Sequence, residues 1–263
     1  MVSNVTDWAN LLLRWLHLFA GILWIGQTWL FMWMDRHLED ALENPGGQLY
    51  MVHSGGFYVV EKRPGLASLP KTLHWFKWEA ALTWATGMCL LVVVYYRGGL
   101  LQEPDAELSQ LAAIGIGLAL LPVAWIVYDT LWRFLPTLVA TPVSFALIVT
   151  LAWALGHVFS ARATYMHVGA ALGTIMATNV WLRILPAQHA MLDSIRAGRP
   201  PDLTLGARAK ERSKHNTFIV VPLVMIMLSN HFPTLTFAHD QAWSMLGLLT
   251  LVGWAAAWLV RRR

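Results

Sequence analysis

Stretches of about twenty apolar residues recur along the whole chain, and that pattern leaves few ways to fold. A bilayer core about 30 Å thick demands roughly this length of a spanning helix. The composition agrees. Of 263 residues, 57% are hydrophobic and only 13% charged, about half the charged share of a soluble domain. The chain is therefore read as all-α, a polytopic transmembrane helical bundle embedded in the lipid bilayer. A net charge of +4 then gives no argument for a nucleic-acid partner, because basic residues in a membrane chain mark cytoplasmic loops. The lone Cys89 excludes an internal disulfide, a Cys-based zinc site and a C-x-x-C-H covalent haem site. The N-terminus lacks a basic n-region and its first apolar run is too long for an h-region, so no cleavable signal peptide is expected.

Seven spans are expected, at about 8–34, 75–96, 108–131, 137–159, 164–185, 216–232 and 241–260, all within one integral-membrane domain covering 1–263. The segment 35–74 is too polar and too rich in Gly and Pro to span. With Pro45-Gly46-Gly47, Gly55-Gly56, Pro64 and Pro70 it reads as a long structured or re-entrant loop. The other large connection, 186–215, contains a turn at 196–201 and a short basic helix over 203–214. With the N-terminus outside, seven spans place the C-terminus inside. Sixteen of the 19 basic residues then lie on the inner side, and only Arg14, Arg97 and Arg162 on the outer. The positive-inside rule accordingly gives an N-out, C-in topology.

Four of the ten histidines fall within or at the ends of spans: His17, His157, His167 and His231. Imidazole inside a bilayer is costly unless it is paired, liganded or facing a cavity. By the topology above, all four lie in the outer half of the membrane. Neutral imidazole is a good ligand for haem iron, and haem sites in bundles are built from side chains on facing helices. Small neighbours would let a flat ring approach: Gly21 lies four residues after His17, and Ala170, Ala171 and Thr174 share the face of His167 within a Gly169-x-x-x-Gly173 packing pattern. The alternative is that these histidines hydrogen-bond across helices or meet interfacial water, and His157 and His231, nearest the surface, suit that reading best. Arg14, one turn before His17, snorkels outward or pairs with a haem propionate. The tryptophans of span 1 (Trp15, Trp24, Trp29, Trp33) suit an interfacial belt or packing.

A second polar group gathers at the inner face. It comprises His53 in the first loop, His74, Lys77 and Glu79 at the start of span 2, and Asp129 near the end of span 3. Asn179 and Arg183 follow in span 5, and His215-Asn216 opens span 6. A buried carboxylate beside His, Lys and Arg is the usual makeup of a proton-handling or anion-binding site. Glycines beside His53 would allow close approach of a planar ligand. Lys77 and Arg183 are equally explained as interfacial anchors, and Asp129 as a counter-ion or a helix-end residue.

The segments Arg14–Gly26, His53-Ser-Gly-Gly-Phe-Tyr58, Leu73-His-Trp-Phe-Lys-Trp-Glu79, His167–Met176, and Ser213-Lys-His-Asn216 leading to Met227-Leu-Ser-Asn-His231 resemble the membrane domain of the bacterial cytochrome-c-linked urate oxidases (PuuD type). The blocks occur in order over almost the whole chain. The resemblance implies oxidation of urate to 5-hydroxyisourate, with electrons passed to cytochrome c rather than to oxygen, in the inner (cytoplasmic) membrane of a bacterium. In that family the membrane domain is followed by a further helix and a c-type cytochrome. This sequence ends at Arg263 without C-x-x-C-H, so the cytochrome is expected as a separate protein or as a part lying outside it. Span 1 alone also resembles the opening helix of membrane haem oxidases of the protoporphyrinogen-oxidase (HemJ) type, which favours His17 as a haem ligand.

Combining the resemblance with the two histidine clusters gives a leading expectation. Urate binds from the cytoplasm among His53, Asn179, Arg183 and Asn216. Glu79, His74 and His215 handle its protons, and the electrons leave singly through a b-type haem on His17 and His167, with His157 and His231 as alternative ligands or propionate partners. A purine or anion transporter with proton-relay histidines is the main competitor, although no inverted repeat supports it. A haem membrane oxidase for another substrate is the third reading.

Overall fold

The computed structural model describes residues 2–41, 47–63, 66 and 69–262; Pro45, Gly46, Pro64 and Arg263 lie outside the described residues. The first helix, α1 (Val2–Ala41), is 40 residues long, about 60 Å at 1.5 Å per residue, so it outruns any bilayer core. An antiparallel hairpin follows, β1 (Gln48–His53) and β2 (Gly56–Glu61). Its two-residue loop is Ser54-Gly55, both at positive φ, as a type I′ turn requires. Part of the expected loop over 35–74 is thus helix and part is hairpin.

The helical run Trp78–Tyr96 comprises α2 (Trp78–Leu90) and a π-helical turn, Leu91–Tyr96. Helix α3 (Gln110–Phe134) starts where the Ser109 hydroxyl accepts from the Ala112 amide and stops before Pro136, which disfavours helix in the residue preceding it. Helix α4 (Thr137–Leu155) follows. Ser160 then caps α5 (Ala161–Asn179), which passes through a second π turn, Val180–Ile184, into α6 (Leu185–Arg196). Asp202 caps α7 (Leu203–Leu228) by accepting from the Thr204 amide. A 3-10 turn, Ser229–His231, the short α8 (Pro233–Thr236) and α9 (Ala242–Arg262) complete the chain.

Among the described residues, six helices are long and apolar enough to cross a membrane: Val5–Leu38, Trp78–Tyr96, Gln110–Phe134, Thr137–Leu155, Ala161–Arg196 and Ala242–Arg262. This is an all-α membrane bundle with one small hairpin among the described residues. The span expected at 216–232 is the second half of α7. The basic helix expected over 203–214 is its first half, so the two are one rod rather than a loop helix and a span. Charges at Arg208, Lys210, Glu211, Arg212 and Lys214 leave α7 a short apolar portion.

Helix α5 is the axis of the bundle. In its spanning window 61% of the residues are buried, against 11% for α1, so α5 contacts protein where α1 mostly faces lipid. The Gly169/Gly173 face of α5 lies against Leu223, Ile226 and Met227 of α7, the close approach that small residues permit. Gly253 of α9 is pressed onto Pro222 of α7, where a Cβ would come within 2.7 Å of the proline backbone. One end of the bundle gathers basic side chains: Lys62 and Lys210 meet Asp35, Arg36 donates to the Arg261 carbonyl, and Arg261 donates to Thr217. Arg14 and Arg162 bond instead to Asn10 and Asn230, at other places in the fold.

Candidate functional site

Of the four histidines singled out in the spans, two are held between helices. His17 of α1 packs against Gly87 of α2, where an added Cβ would lie 3.0 Å from its ring. Its Nδ1 lies 2.9 Å from the Thr83 carbonyl and 3.2 Å from the Thr86 hydroxyl. A carbonyl only accepts, so Nδ1 carries the proton and Nε2 is left as the basic nitrogen. His167 of α5 is fully buried and has the same tautomer, its Nδ1 donating to the Ala163 carbonyl at 2.8 Å. Its Nε2 accepts from the Tyr96 hydroxyl at 3.1 Å and abuts Gly117 of α3. Phe159, Tyr95 and Tyr96 surround the ring.

His17 fits the requirements of a haem ligand, since the Thr83 carbonyl fixes its tautomer and Nε2 has no hydrogen-bond partner among the described residues. His167 does not fit while packed this way. Its Nε2 is taken by a phenol and no room remains beside Gly117. The other two histidines are exposed: His157 bonds to the Trp153 carbonyl, and His231 ends the 3-10 turn after α7. No group of three or more His, Cys, Asp or Glu is placed to hold a metal ion among the described residues.

The other constellation is denser. Tyr128 and Asp129 of α3, Asn179 of α5, Arg183 of the π turn, and Arg212, His215 and Asn216 of α7 form one network. Asn179 Nδ2 donates to the Tyr128 hydroxyl at 3.0 Å and to Asn216 Oδ1 at 3.1 Å, while Asn216 Nδ2 donates to the Met176 carbonyl. The Tyr128 hydroxyl lies 2.7 Å from His215 Nδ1. On the other side of that ring, Nε2 faces the Glu211 carboxylate at 3.4 Å. Tyr128, His215 and Glu211 thus form a line of titratable groups from a buried phenol to an exposed carboxylate. Trp132 lies against the His215 ring at 4.2 Å between centroids and donates its indole N–H to Ser144 of α4.

Behind Tyr128, the buried Asp129 accepts from both Arg183 and Arg212. Two guanidiniums around one carboxylate leave net positive charge, and the Arg212 guanidinium sits 5.2 Å from the Tyr128 ring centroid. Asn179 Oδ1 and Arg212 Nη1 are buried without a hydrogen-bond partner among the described residues. Buried polar atoms are nearly always paired, so these two mark a place where polar capacity exceeds what the packing uses.

This network borders a cavity of about 600 Å³ between α3, α4, α5, α7 and α9, and Tyr128, Trp132, Glu211, Lys214 and His215 line one end of it. Of the residues singled out in the sequence, Asp129, Asn179, Arg183, His215 and Asn216 are brought together here. His53, His74 and Glu79 are not. His53 is exposed at the hairpin turn, bonded to Ser54; His74 is exposed against Phe76; Glu79 sits between α1 and α2, accepting from Gln27 at 3.3 Å. Tyr128, Trp132, Glu211 and Arg212 join the site without having been expected there. Their signal was spacing: Glu211, Arg212, His215 and Asn216 fall on one helical face at i, i+1, i+4 and i+5 if the helix is continuous, and Tyr128 and Trp132 are one turn apart.

A bundle of apolar helices of membrane-spanning length, with a cationic, hydrogen-bonded network beside a cavity at one end, defines the class: an all-α membrane protein. Comparison with known families narrows this, because the urate oxidase N-terminal family model matches residues 3–262. The chain belongs to that family. No curated protein and no solved structure matches it.

Proposed function

We propose that the protein is a membrane-bound urate oxidase that converts urate to 5-hydroxyisourate at the inner end of the α3–α5–α7 cavity and passes the electrons onward rather than to oxygen. The observation that carries this reading is the Tyr128–His215–Glu211 line opening onto a cavity beside Lys214 and Trp132, in a chain of the urate oxidase N-terminal family. Urate is a planar anion at neutral pH. Trp132 offers a stacking face and Lys214, with the Arg183–Arg212 pair behind Tyr128, a positive field.

Oxidation balances as urate plus water giving 5-hydroxyisourate, two protons and two electrons. The chain's own residues serve the protons. His215 Nδ1 takes the proton of Tyr128 or of the purine, and Nε2 returns one to Glu211, whose carboxylate meets the aqueous phase. Asn179 and Asn216 hold Tyr128 in position. A b-type haem bound through His17 would accept electrons one at a time, and a cytochrome c on the outer side is the proposed final acceptor. With the apolar half of α7 counted as a seventh span, the 16-to-3 distribution of basic residues supports an N-out, C-in orientation in a bacterial inner membrane, with the urate pocket on the cytoplasmic side.

The test is urate loss followed by ultraviolet absorbance with the detergent-purified protein and ferricyanide as an artificial acceptor. Urate-dependent acceptor reduction that disappears in His215→Ala is the expected result. Urate taken up by proteoliposomes with no turnover would replace the oxidase with a transporter. A Soret band lost in His17→Ala tests the haem separately.

A further inference from the structure

We propose that the same cavity binds an isoprenoid quinone, which takes the electron pair from urate inside the membrane; this rests on the urate reading above. A purine-sized anion needs only the polar end of a 600 Å³ space. The remainder has a definite shape. Residues Leu120, Val123, Ala124, Val127 and Leu131 of α3 and Thr137, Thr141, Ser144, Leu147, Ile148 and Leu151 of α4 line it as one stripe from each helix. The α4 stripe covers fourteen residue steps, roughly 20 Å at 1.5 Å per residue. The space is a slot lying along the helices.

Its lining is graded. Every polar lining side chain, Tyr128, Thr137, Thr141, Ser144, Glu211, Lys214 and His215 together with the indole of Trp132, belongs to the end near the α3–α4 turn and the charged half of α7. Beyond them the walls are apolar, mostly Leu, Ile, Val and Ala with Pro222 and Trp254. Val123, Val127, Leu147 and Trp258 line the slot and are among the exposed apolar side chains, an exposure consistent with a sideways opening to lipid. An apolar pocket with a few convergent polar groups is the general form of a small-molecule site. A long lipid-facing slot ending in a phenol, an imidazole and an ammonium suits a hydrocarbon tail that carries a head with hydrogen-bond acceptors.

A quinone head beside Tyr128 and His215 would stand next to urate bound at the inner mouth. The reaction then closes without another co-reactant: urate, water and quinone give 5-hydroxyisourate and quinol. The two electrons and two protons released by urate and water reduce and protonate the two quinone oxygens. The quinol leaves by the lateral opening, and cytochrome c receives its electrons downstream.

The experiment uses the full chain in detergent with urate and either decylubiquinone or ferricyanide as acceptor. Urate-dependent formation of one quinol per urate is expected. Ala124→Trp, which fills the slot, and Leu147→Trp, which narrows its lateral opening, should each lower quinone reduction at least tenfold while leaving ferricyanide reduction unchanged. Reduction of ferricyanide or cytochrome c by urate without reduction of decylubiquinone would overturn the quinone site and leave the urate reading standing. If urate reduces no acceptor, solvent extraction of the purified protein decides: quinone recovered in stoichiometric amount supports the slot assignment and removes urate as donor. Phospholipid alone would overturn the quinone assignment as well.

Discussion

His167 and His215 are both imidazoles held by a tyrosine hydroxyl, and they are surrounded in opposite ways. At His167 the partner Tyr96, the glycine of the facing helix and two further aromatic rings, Tyr95 and Phe159, fill all the space, and both ring nitrogens are satisfied. At His215 the partner Tyr128 borders a cavity, an exposed carboxylate stands at the second nitrogen, and two polar atoms nearby have no partner among the described residues. The same pair of residue types is a joint between helices in one place and a wall of an open chamber in the other. What separates them is the space left beside the pair. Burial alone would have ranked His167 as the more suspicious residue.

The sharpest way to break that contrast is His215→Ala. Turnover of urate should fall by about 10²–10⁴-fold, the usual worth of a positioned general base, with a stability loss of about 1–2 kcal/mol because the buried Tyr128 hydroxyl loses its acceptor; steady-state kinetics and a melting curve read both. Asp129→Asn comes next. It leaves two guanidiniums around a neutral amide, and the expected loss is about 3 kcal/mol, the lower part of the range for a broken buried pair because Arg183 is partly solvated. Denaturation in detergent measures it.

Tyr96→Phe should cost about 1–2 kcal/mol by stranding His167 Nε2 while urate turnover stays at the wild-type rate; a large kinetic effect there would erase the distinction between joint and chamber. His53→Ala, at an exposed hairpin turn, should change stability by less than about 0.5 kcal/mol and leave KM for urate where it was.

Much of the bundle was legible because an apolar run of bilayer length has one physical meaning. Within it, Asn179 stood out for the same reason, as a polar side chain that a span does not carry without a partner. Arg183, His215 and Asn216 were visible at the inner ends of spans. Tyr128 and Trp132 were not, since an aromatic in a span looks like packing until its hydrogen bond is seen. Glu211 and Arg212 were hidden in a basic run that reads as a solvated helix, and only its continuity with the apolar half of α7 carries them to the site. Glu79 misled for a related reason: a carboxylate at a span boundary is conspicuous, yet its partner is Gln27 on α1. His53 beside two glycines suggested a ligand loop, where the backbone uses Ser54 and Gly55 for a tight turn.

The two π turns carry a different lesson. Each residue advances an α-helix by about 100°, and a π turn holds one residue more than an α turn would. Removing a single residue from Val180–Ile184 would restore regular helix and leave α6 facing nearly the way it does now, so the groups that change direction are those of the turn itself, and Arg183 would lose its place against Asp129. Removing one from Leu91–Tyr96 would shift Tyr96 away from His167. At these two points the number of residues, more than their identity, decides which groups meet, so a single-codon deletion would do there what no substitution can.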